Sequence, residues 1–320
     1  MINHVPRADE QLRDLPAIQP LLRGWFASHG RDLPWRRTRD PYRVLVSEVM
    51  LQQTQVDRVI PKYLAFLELF PSAEALAQAP TAEVIRAWAG LGYNRRAVNL
   101  QRTAQAVVEQ FGGRFPQDVA ELRQLPGIGP YTAGAVACFA FEQDVAFMDT
   151  NIRRVVQRVF VGPEPAPEAR LQALAASAVP AGHGWEWNQA IMELGALVCT
   201  ASAPACWRCP LREHCRDYAA RRQTDEQSLL LPPAMPAPRP QKRVAERREA
   251  PFVGSNRYYR GRIVDALRQL PPHSPLALVE LGQRIKPDFG EADLPWLRGL
   301  VDALARDGLI AVEGEAARLP

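Results

Sequence analysis

The sequence predicts an all-α chain in two parts, a helical domain over residues 1–222 and a small module over 256–320, joined by a linker at 223–255. Three observations predict it. Apolar residues recur at helical spacing, as in 43–53, where Val44, Leu45, Val49 and Met50 fall on one face. Runs of alternating β-branched residues are nearly absent before residue 300. The stretch 232–251 is rich in proline and arginine, has no apolar period, and reads as an extended linker.

Further helices are expected over 59–70, 81–87, 95–111, 119–125, 131–141, 152–160, 168–178 and 188–198. Glycine and proline punctuate them, as at Phe115-Pro116 and Pro126-Gly127. Beyond the linker, helices are expected around 258–270, 276–285 and 294–306, and 309–319 reads as a small hairpin after Gly308. Three helices and a hairpin describe a winged-helix-like module. The linker's basic run, Lys242, Arg243, Arg247 and Arg248, either touches phosphate or stays solvated.

Hydrophobic residues make up 47% of the 320, enough for a real core. The first fourteen residues mix charged with apolar side chains, unlike a signal peptide. The longest small-apolar run, 133–141, is far shorter than the roughly 20 residues of a membrane span. A cytoplasmic protein without membrane contact is therefore expected. The net charge of +4 fits a polyanionic partner. Lysine occurs only at positions 62, 242 and 286, which limits any amine-based covalent chemistry.

Four of the five cysteines are grouped, as Cys199-x6-Cys206-x2-Cys209-x5-Cys215, and Cys138 stands apart. In a cytosolic chain such a group reads as a metal site. Four thiolates suit zinc or an iron–sulfur cluster. Zinc sites usually pair their ligands across a longer spacer, so one compact loop favours the cluster.

The segment 125–129, Leu-Pro-Gly-Ile-Gly, joins two helices. Gly127, Ile128 and Gly129 form either a plain turn or a helix-hairpin-helix grip, in which amides entering the second helix bind phosphate. Glu48 lies mid-helix at the edge of an apolar face. It is either an ordinary helical glutamate or a general acid, whose proton partial burial would retain. Asp149 precedes the helix at Ile152 and reads as an N-cap, a role compatible with catalysis.

These features occur in the order found in one family. The chain resembles the helix-hairpin-helix glycosylase superfamily, and within it the A/G-specific adenine glycosylases of the MutY type. The residues that carry this are Leu33-Pro34-Trp35-Arg36, the run from Ser47 to Val56, Gly90-Leu91-Gly92-Tyr93, the hairpin with Tyr131-Thr132, Asp149-Thr150-Asn151 and the cysteine loop 199–215. The resemblance covers roughly 16–220. It implies a two-lobed helical fold with one 4Fe–4S cluster on Cys199, Cys206, Cys209 and Cys215. The partner it implies is double-stranded DNA with adenine mispairs, bound by a monomer at the nucleoid. The adenine is flipped out of the stack. Glu48 matches the acid that protonates its N7, and Asp149 the carboxylate that stabilises the oxocarbenium-like sugar. Asn151 would hold a water or orient Asp149. Trp35, Arg36, Leu51, Val56 and Glu193 match residues lining the adenine pocket, with Glu193 accepting from the adenine amine. Core packing is the other reading of Trp35, Leu51 and Val56. Gln53 and Tyr93 match a wedge that fills the vacated space and touches the partner base. Tyr131 stands where strand-nicking relatives carry a Schiff-base lysine, so a monofunctional enzyme is expected.

Two departures qualify the match. Between Cys199 and Cys206 the family carries basic residues that touch DNA, and here Thr-Ala-Ser-Ala-Pro-Ala stands instead, leaving Arg208 and Arg212 as substitutes. The family also places a Nudix-like domain after the linker to read 8-oxoguanine. The residues from 256 on are too few and too helical for it, so a smaller preference for 8-oxoguanine over guanine is expected. A thymine glycosylase for T·G mispairs and a non-enzymatic iron–sulfur redox sensor are the competing functions.

Overall fold

The structure is a computed structural model that describes residues 8–230 and 252–320. The linker's basic run lies outside the described residues. The described chain divides into two units, one of residues 8–44, 117–120 and 129–230, the other of 45–116, 121–128 and 252–320. The division falls within the helix Pro41–Leu51 and within the hairpin 125–129.

In the first unit the helix Gly184–Leu197 packs against Leu15–His29 and Thr150–Val156. Pro130–Phe141 is buried almost all round, as its unbroken small and apolar sequence requires. One helix was not expected from periodicity and one starts earlier than expected. Leu15–His29 is the first, and it carries Pro16 and Pro20. Pro16 sits in the first turn, where a missing N–H costs no helical bond. The helix expected from 188 starts at Gly184 because Asp144, forty residues away in sequence, caps it: its Oδ1 accepts from Gly184 N at 2.8 Å and its Oδ2 from Gly182 N at 2.5 Å. The helix expected over 152–160 runs over Thr150–Val156 and then widens into a π-helical turn, Gln157–Val161. The Gln157 side chain ties that turn off by donating to the carbonyls of Gly162 and Glu164.

In the second unit Val56–Leu69, Ala73–Gln78, Thr81–Ala87 and Arg95–Phe111 form a helical layer. The short helix Ala73–Gln78 was not evident from periodicity; Ser72 caps it, its Oγ accepting from Ala75 N. The segment expected as a helix over 119–125 is helical only over Val119–Leu122, since Pro126 follows closely. From 256 on come the helices Asn256–Arg268, Leu278–Ile285 and Leu294–Arg306 and a three-stranded antiparallel sheet. Its central strand, Ala316–Arg318, pairs with Leu276–Ala277 on one side and with Ala311–Glu313 on the other.

The core of these last residues is not confined to them. Ile263, Leu267, Leu281, Leu297 and Leu304 are buried in one apolar cluster with Ala82, Ile85 and Val98. Arg268 reinforces the seam by donating to the carbonyl of Ile85 at 3.0 Å and to Asn94 Oδ1 at 2.8 Å. Among the described residues no helix is long and apolar enough to cross a membrane.

Candidate active site

Glu48 and Asp149 belong to different units. Glu48 is buried, with only 4% of its surface exposed, on the helix Pro41–Leu51 between Ser47 and Val49, which are also buried. The turn that ends this helix carries Gln52, Gln53 and Thr54, with Gln53 exposed and Leu51 and Val56 half-buried.

One side chain absent from the sequence expectations fixes that turn. Arg96 Nη1 donates to the carbonyls of Val49 at 2.7 Å, Met50 at 3.0 Å and Gln52 at 2.7 Å. Its Nη2 donates to the carbonyls of Leu91 at 3.0 Å and Gly92 at 3.2 Å and to Thr54 Oγ1 at 3.2 Å. The guanidinium thus closes the end of Glu48's helix and ties it to the 90–93 turn. Three of its acceptors lie at a helix C-terminus, where the dipole favours a cation. Burial brings Arg96 down to about 10, which leaves it charged at neutral pH. Both turns need such support. Gln53 and Tyr93 sit at φ of +55° and +45°, a region that costs a residue with a side chain. Tyr93 is half exposed. The wedge residues expected from sequence are therefore two strained, projecting side chains on turns held by one arginine.

In the first unit Asp149 caps the helix Thr150–Val156, its Oδ1 accepting from Ile152 N at 2.7 Å. Its Oδ2 accepts from Asn151 Nδ2 at 3.0 Å, so Asn151 orients it directly. Asn151 is held in turn: its Oδ1 accepts from Arg154 Nη2 at 2.8 Å. Gly195 lets the helix behind approach, since a Cβ there would lie 2.7 Å from the Asn151 Cβ. Arg154 continues to the carbonyls of Gly195 at 2.7 Å and Cys199 at 2.6 Å. A single hydrogen-bonded chain therefore runs from the Asp149 carboxylate to the first cysteine of the loop.

Glu193 is buried, with its side chain 1% exposed. Its Oε1 accepts from Arg31 N and Nε, each at 2.8 Å, and its Oε2 from Arg31 Nη2 at 2.8 Å and Arg36 Nη2 at 2.9 Å. Four donors fill the acceptor positions of a carboxylate. Glu193 is thus the anchor of two arginines, and an acceptor for a base amine only if one of those bonds is exchanged. Arg36 is equally committed, donating also to Gln189 Oε1 at 2.7 Å and the Arg31 carbonyl at 2.8 Å. Trp35 beside it is buried. Arg31 went unrecognised in the sequence because nothing local marks its pairing with a residue 162 positions away.

The hairpin turns at Gly127, whose φ is +76° and where a Cβ would lie 2.8 Å from that of Asn99. Gly127 is exposed and Ile128 buried, and Gly129 starts the helix Pro130–Phe141. Thr103 Oγ1 donates to the Pro126 carbonyl at 2.6 Å and steadies the turn. Tyr131, half-buried in that helix, meets Phe147 edge-on at 5.5 Å.

Cys199, Cys206, Cys209 and Cys215 line one small cavity together with Arg158 and Tyr218. Arg158 Nη1 donates to Cys199 Sγ at 3.4 Å. Burial pushes the thiols of Cys209 and Cys215 up to about 12 and about 11, and neighbouring cysteines of the group add to the rise. No group of three or more His, Cys, Asp or Glu side chains among the described residues is arranged to hold a single metal ion. Arg208 donates to the Leu197 carbonyl and Arg212 to Glu213, while Trp207 between them is 79% exposed.

Glu193 gives a pH test. Burial alone would raise its carboxyl, but the Arg31 and Arg36 hydrogen bonds outweigh it and bring it from 4.5 to about 2. A depressed carboxyl stabilises the fold fully above its unfolded value and loses that contribution as pH falls through the folded one. Between pH 4.5 and 2 the chain should therefore lose on the order of 3 kcal/mol from this group. Denaturant unfolding at several pH values should show this loss in the wild type and a flatter profile in Glu193→Gln. The variant should be weaker by about 3 kcal/mol at neutral pH, since it leaves two partly buried arginines without their counter-charge. Identical profiles would mean that the pair does not stabilise the fold.

Residues 46–180 match the family model described as HhH-GPD superfamily base excision DNA repair protein. The chain is 40% identical over 306 residues to the adenine DNA glycosylase of Mycolicibacterium smegmatis, covering 93% of this chain and 97% of that protein. It is 42% identical over 230 residues to the human adenine DNA glycosylase, covering 68% of this chain and 42% of the longer human protein. Among solved structures it is similar to a thermostable thymine-DNA glycosylase, with 31% identity and a TM-score of 0.61 over 65% of this chain and 98% of that one. Likeness to a relative along almost the whole of both chains, on a helical fold with the hairpin in place, leaves one conclusion: the chain belongs to the HhH-GPD superfamily of base excision DNA repair proteins, in its adenine DNA glycosylase branch.

Proposed function

We propose that the chain is a monofunctional adenine DNA glycosylase of base excision repair. It hydrolyses the N-glycosidic bond of adenine mispaired with 8-oxoguanine or guanine in double-stranded DNA. The observation that carries this reading is the likeness to an adenine DNA glycosylase along nearly the full length of both chains. The reading extends to a monomer working in the cytoplasm at the nucleoid, with 256–320 as a winged-helix-like module.

The mispaired adenine leaves the stack, which costs a few kcal/mol and less than for a paired base. Glu48 donates its proton to N7. The bond from C1′ to N9 then breaks and its electron pair leaves with the base. The sugar left behind is cationic at C1′, and the Asp149 carboxylate stabilises it until water adds there. This division between a protonated and an ionised carboxyl resembles that of glycosidases. The burial of Glu48 supports its part, and the two hydrogen bonds that orient Asp149 support the other. Trp35, Arg36, Leu51, Val56 and Glu193 are assigned to recognition of the base on the family resemblance alone, Gln53 and Tyr93 wedge the duplex, and the amides of Gly127, Ile128 and Gly129 grip a phosphate.

The four cysteines hold one 4Fe–4S cluster in this reading. Their shared cavity and soft sulfur donors support it. A lone tetrahedral zinc at about 2.3 Å from each sulfur would need the sulfurs within about 3.8 Å of one another. A cubane holds them farther apart, so the metal content of the purified protein distinguishes the two. When bound, the cluster supplies structure and orientation toward DNA, since cysteine fills every iron site.

A thymine glycosylase for T·G mispairs is the second reading, carried by the 31% likeness to a thymine-DNA glycosylase. Adenine is favoured because its relatives match at higher identity over more of the chain. Thymine also has no N7 for Glu48 to protonate. A redox sensor would leave Glu48 and Asp149 without a task.

Single-turnover excision decides between them, on duplexes carrying A opposite 8-oxoguanine, A opposite G, A opposite T, and T opposite G. Release of adenine from the first two is expected. Glu48→Gln should bind those duplexes and lose at least 100-fold in rate, the lower range for a general acid. Asp149→Asn should fail as well, with about 1 kcal/mol lost from the helix cap. Excision of thymine alone would establish the second reading. Protein purified without oxygen should contain about four irons per chain and absorb broadly near 400 nm, whereas stoichiometric zinc without iron would exclude the cluster. Borohydride should trap little protein on DNA, because Tyr131 occupies the Schiff-base position and no lysine lies between Lys62 and Lys242. Efficient trapping would make the enzyme a lyase.

A further inference from the structure

The two projecting side chains Gln53 and Tyr93 do not stand on an open surface. They line a cleft of about 1030 Å³ whose other wall is the helix Asn256–Arg268. Glu48 is not among the lining residues. Seven arginines face the cleft and only two acids, Asp265 and Asp307. Asp307 pairs with Arg260 at 2.5 Å and Arg95 at 3.6 Å, and Asp265 with Arg268 at 2.6 Å. A positive surplus remains, larger than the net +4 of the whole chain. Arg262 is held in place by neutral groups, donating to the Tyr258 hydroxyl at 2.9 Å and to the Arg284 carbonyl at 3.2 Å. Arg257, exposed, lies over the Phe252 ring at 5.1 Å. Both sit in a helix started by a Ser255 cap, and Arg257 is in its first turn. The helix beginning adds its own positive dipole end beside Arg257.

We infer that the helix Asn256–Arg268 is a DNA-backbone clamp, and that Arg257 and Arg262 hold phosphates of the strand carrying the adenine's partner base. A cleft with concentrated positive charge, planar guanidinium groups and a helix start fits a phosphodiester chain. Gln53 and Tyr93 point to the strand, because in the proposed reading they meet the partner base from within the same cleft. The choice of strand rests on that reading, whereas the phosphate contact itself does not.

The test uses the full chain and fluorescence-anisotropy titration with a fully paired duplex and with an A·G duplex, over a series of salt concentrations. Each phosphate contact contributes a slope of about 0.9 in log affinity against log salt. Arg257→Ala/Arg262→Ala should lower the slope by about 2 on both duplexes and weaken binding at least tenfold at low salt. Arg257→Lys/Arg262→Lys should recover most of the slope, which separates charge from folding damage. Methylphosphonates placed in the partner strand should weaken the wild type and leave the alanine variant unaffected. Unchanged slope and affinity in the alanine variant would overturn the clamp. Sensitivity confined to methylphosphonates in the adenine strand would overturn the strand assignment. If the wild type excises no adenine while the variant still loses its slope, the substrate reading fails and the clamp stands.

Discussion

The two turns that carry Gln53 and Tyr93 depend on one partly buried cation. Arg96 is taken out of water and repaid in carbonyl oxygens, five of them from two separate turns. An unfilled buried carbonyl costs about as much as a lost hydrogen bond, and the end of the helix Pro41–Leu51 would present several. The guanidinium satisfies them and uses the same bonds to join the 52–54 turn to the 90–93 turn. The left-handed backbone at Gln53 and Tyr93 is tolerable because its surroundings are over-determined in this way. The planar fork matters as much as the charge. A lysine has no second nitrogen with which to reach the other turn.

The first unit solves its own problem with the same residue type. Arg31 and Arg36 surround Glu193, and Arg154 bridges Asn151, Gly195 and Cys199. In each case an arginine connects segments distant in sequence, and the group whose position matters is held through it. The preference for arginine over lysine, which composition alone leaves ambiguous, has a structural use at these places. Asp149 illustrates the result: its helix cap, its asparagine and the arginine behind them form one bonded line to the cysteine loop. Orientation at the carboxylate and order in the loop are therefore coupled.

What could be read from the sequence was what is local. Helical periodicity located most of the long helices to within a few residues, but neither Leu15–His29 nor Arg216–Leu230, which runs into the stretch read as linker. Glu48 stood out by the motif around it, Asp149 by its place before a helix, and the cysteines by their spacing. Residues whose importance comes from partners far along the chain stayed hidden. Nothing near Arg96 announces that it caps a helix more than forty residues earlier. Nothing near Asp144 marks it as the cap of the helix at Gly184. Glu193 could be placed at the site by resemblance, but the four bonds that occupy it could not. The helix Leu15–His29, with Pro16 in its first turn and Pro20 inside, was not among the expected elements, and it packs against Gly184–Leu197.

The apolar cluster that the last helices share with Ala82, Ile85 and Val98 bears on which genetic lesions the protein can survive. A nonsense codon or frameshift in the linker would spare Glu48, Asp149 and all four cysteines. It would nevertheless strip the cover from buried faces of the helices Thr81–Ala87 and Arg95–Phe111. The latter helix also begins with Arg95 and Arg96 and so carries the brace of both strained turns. Such a product would be translated with those residues present and then meet chaperones and proteases through newly exposed apolar surface. Alleles of this kind would look like catalytic nulls in the cell while containing every residue proposed for catalysis, and protein abundance is where they would differ.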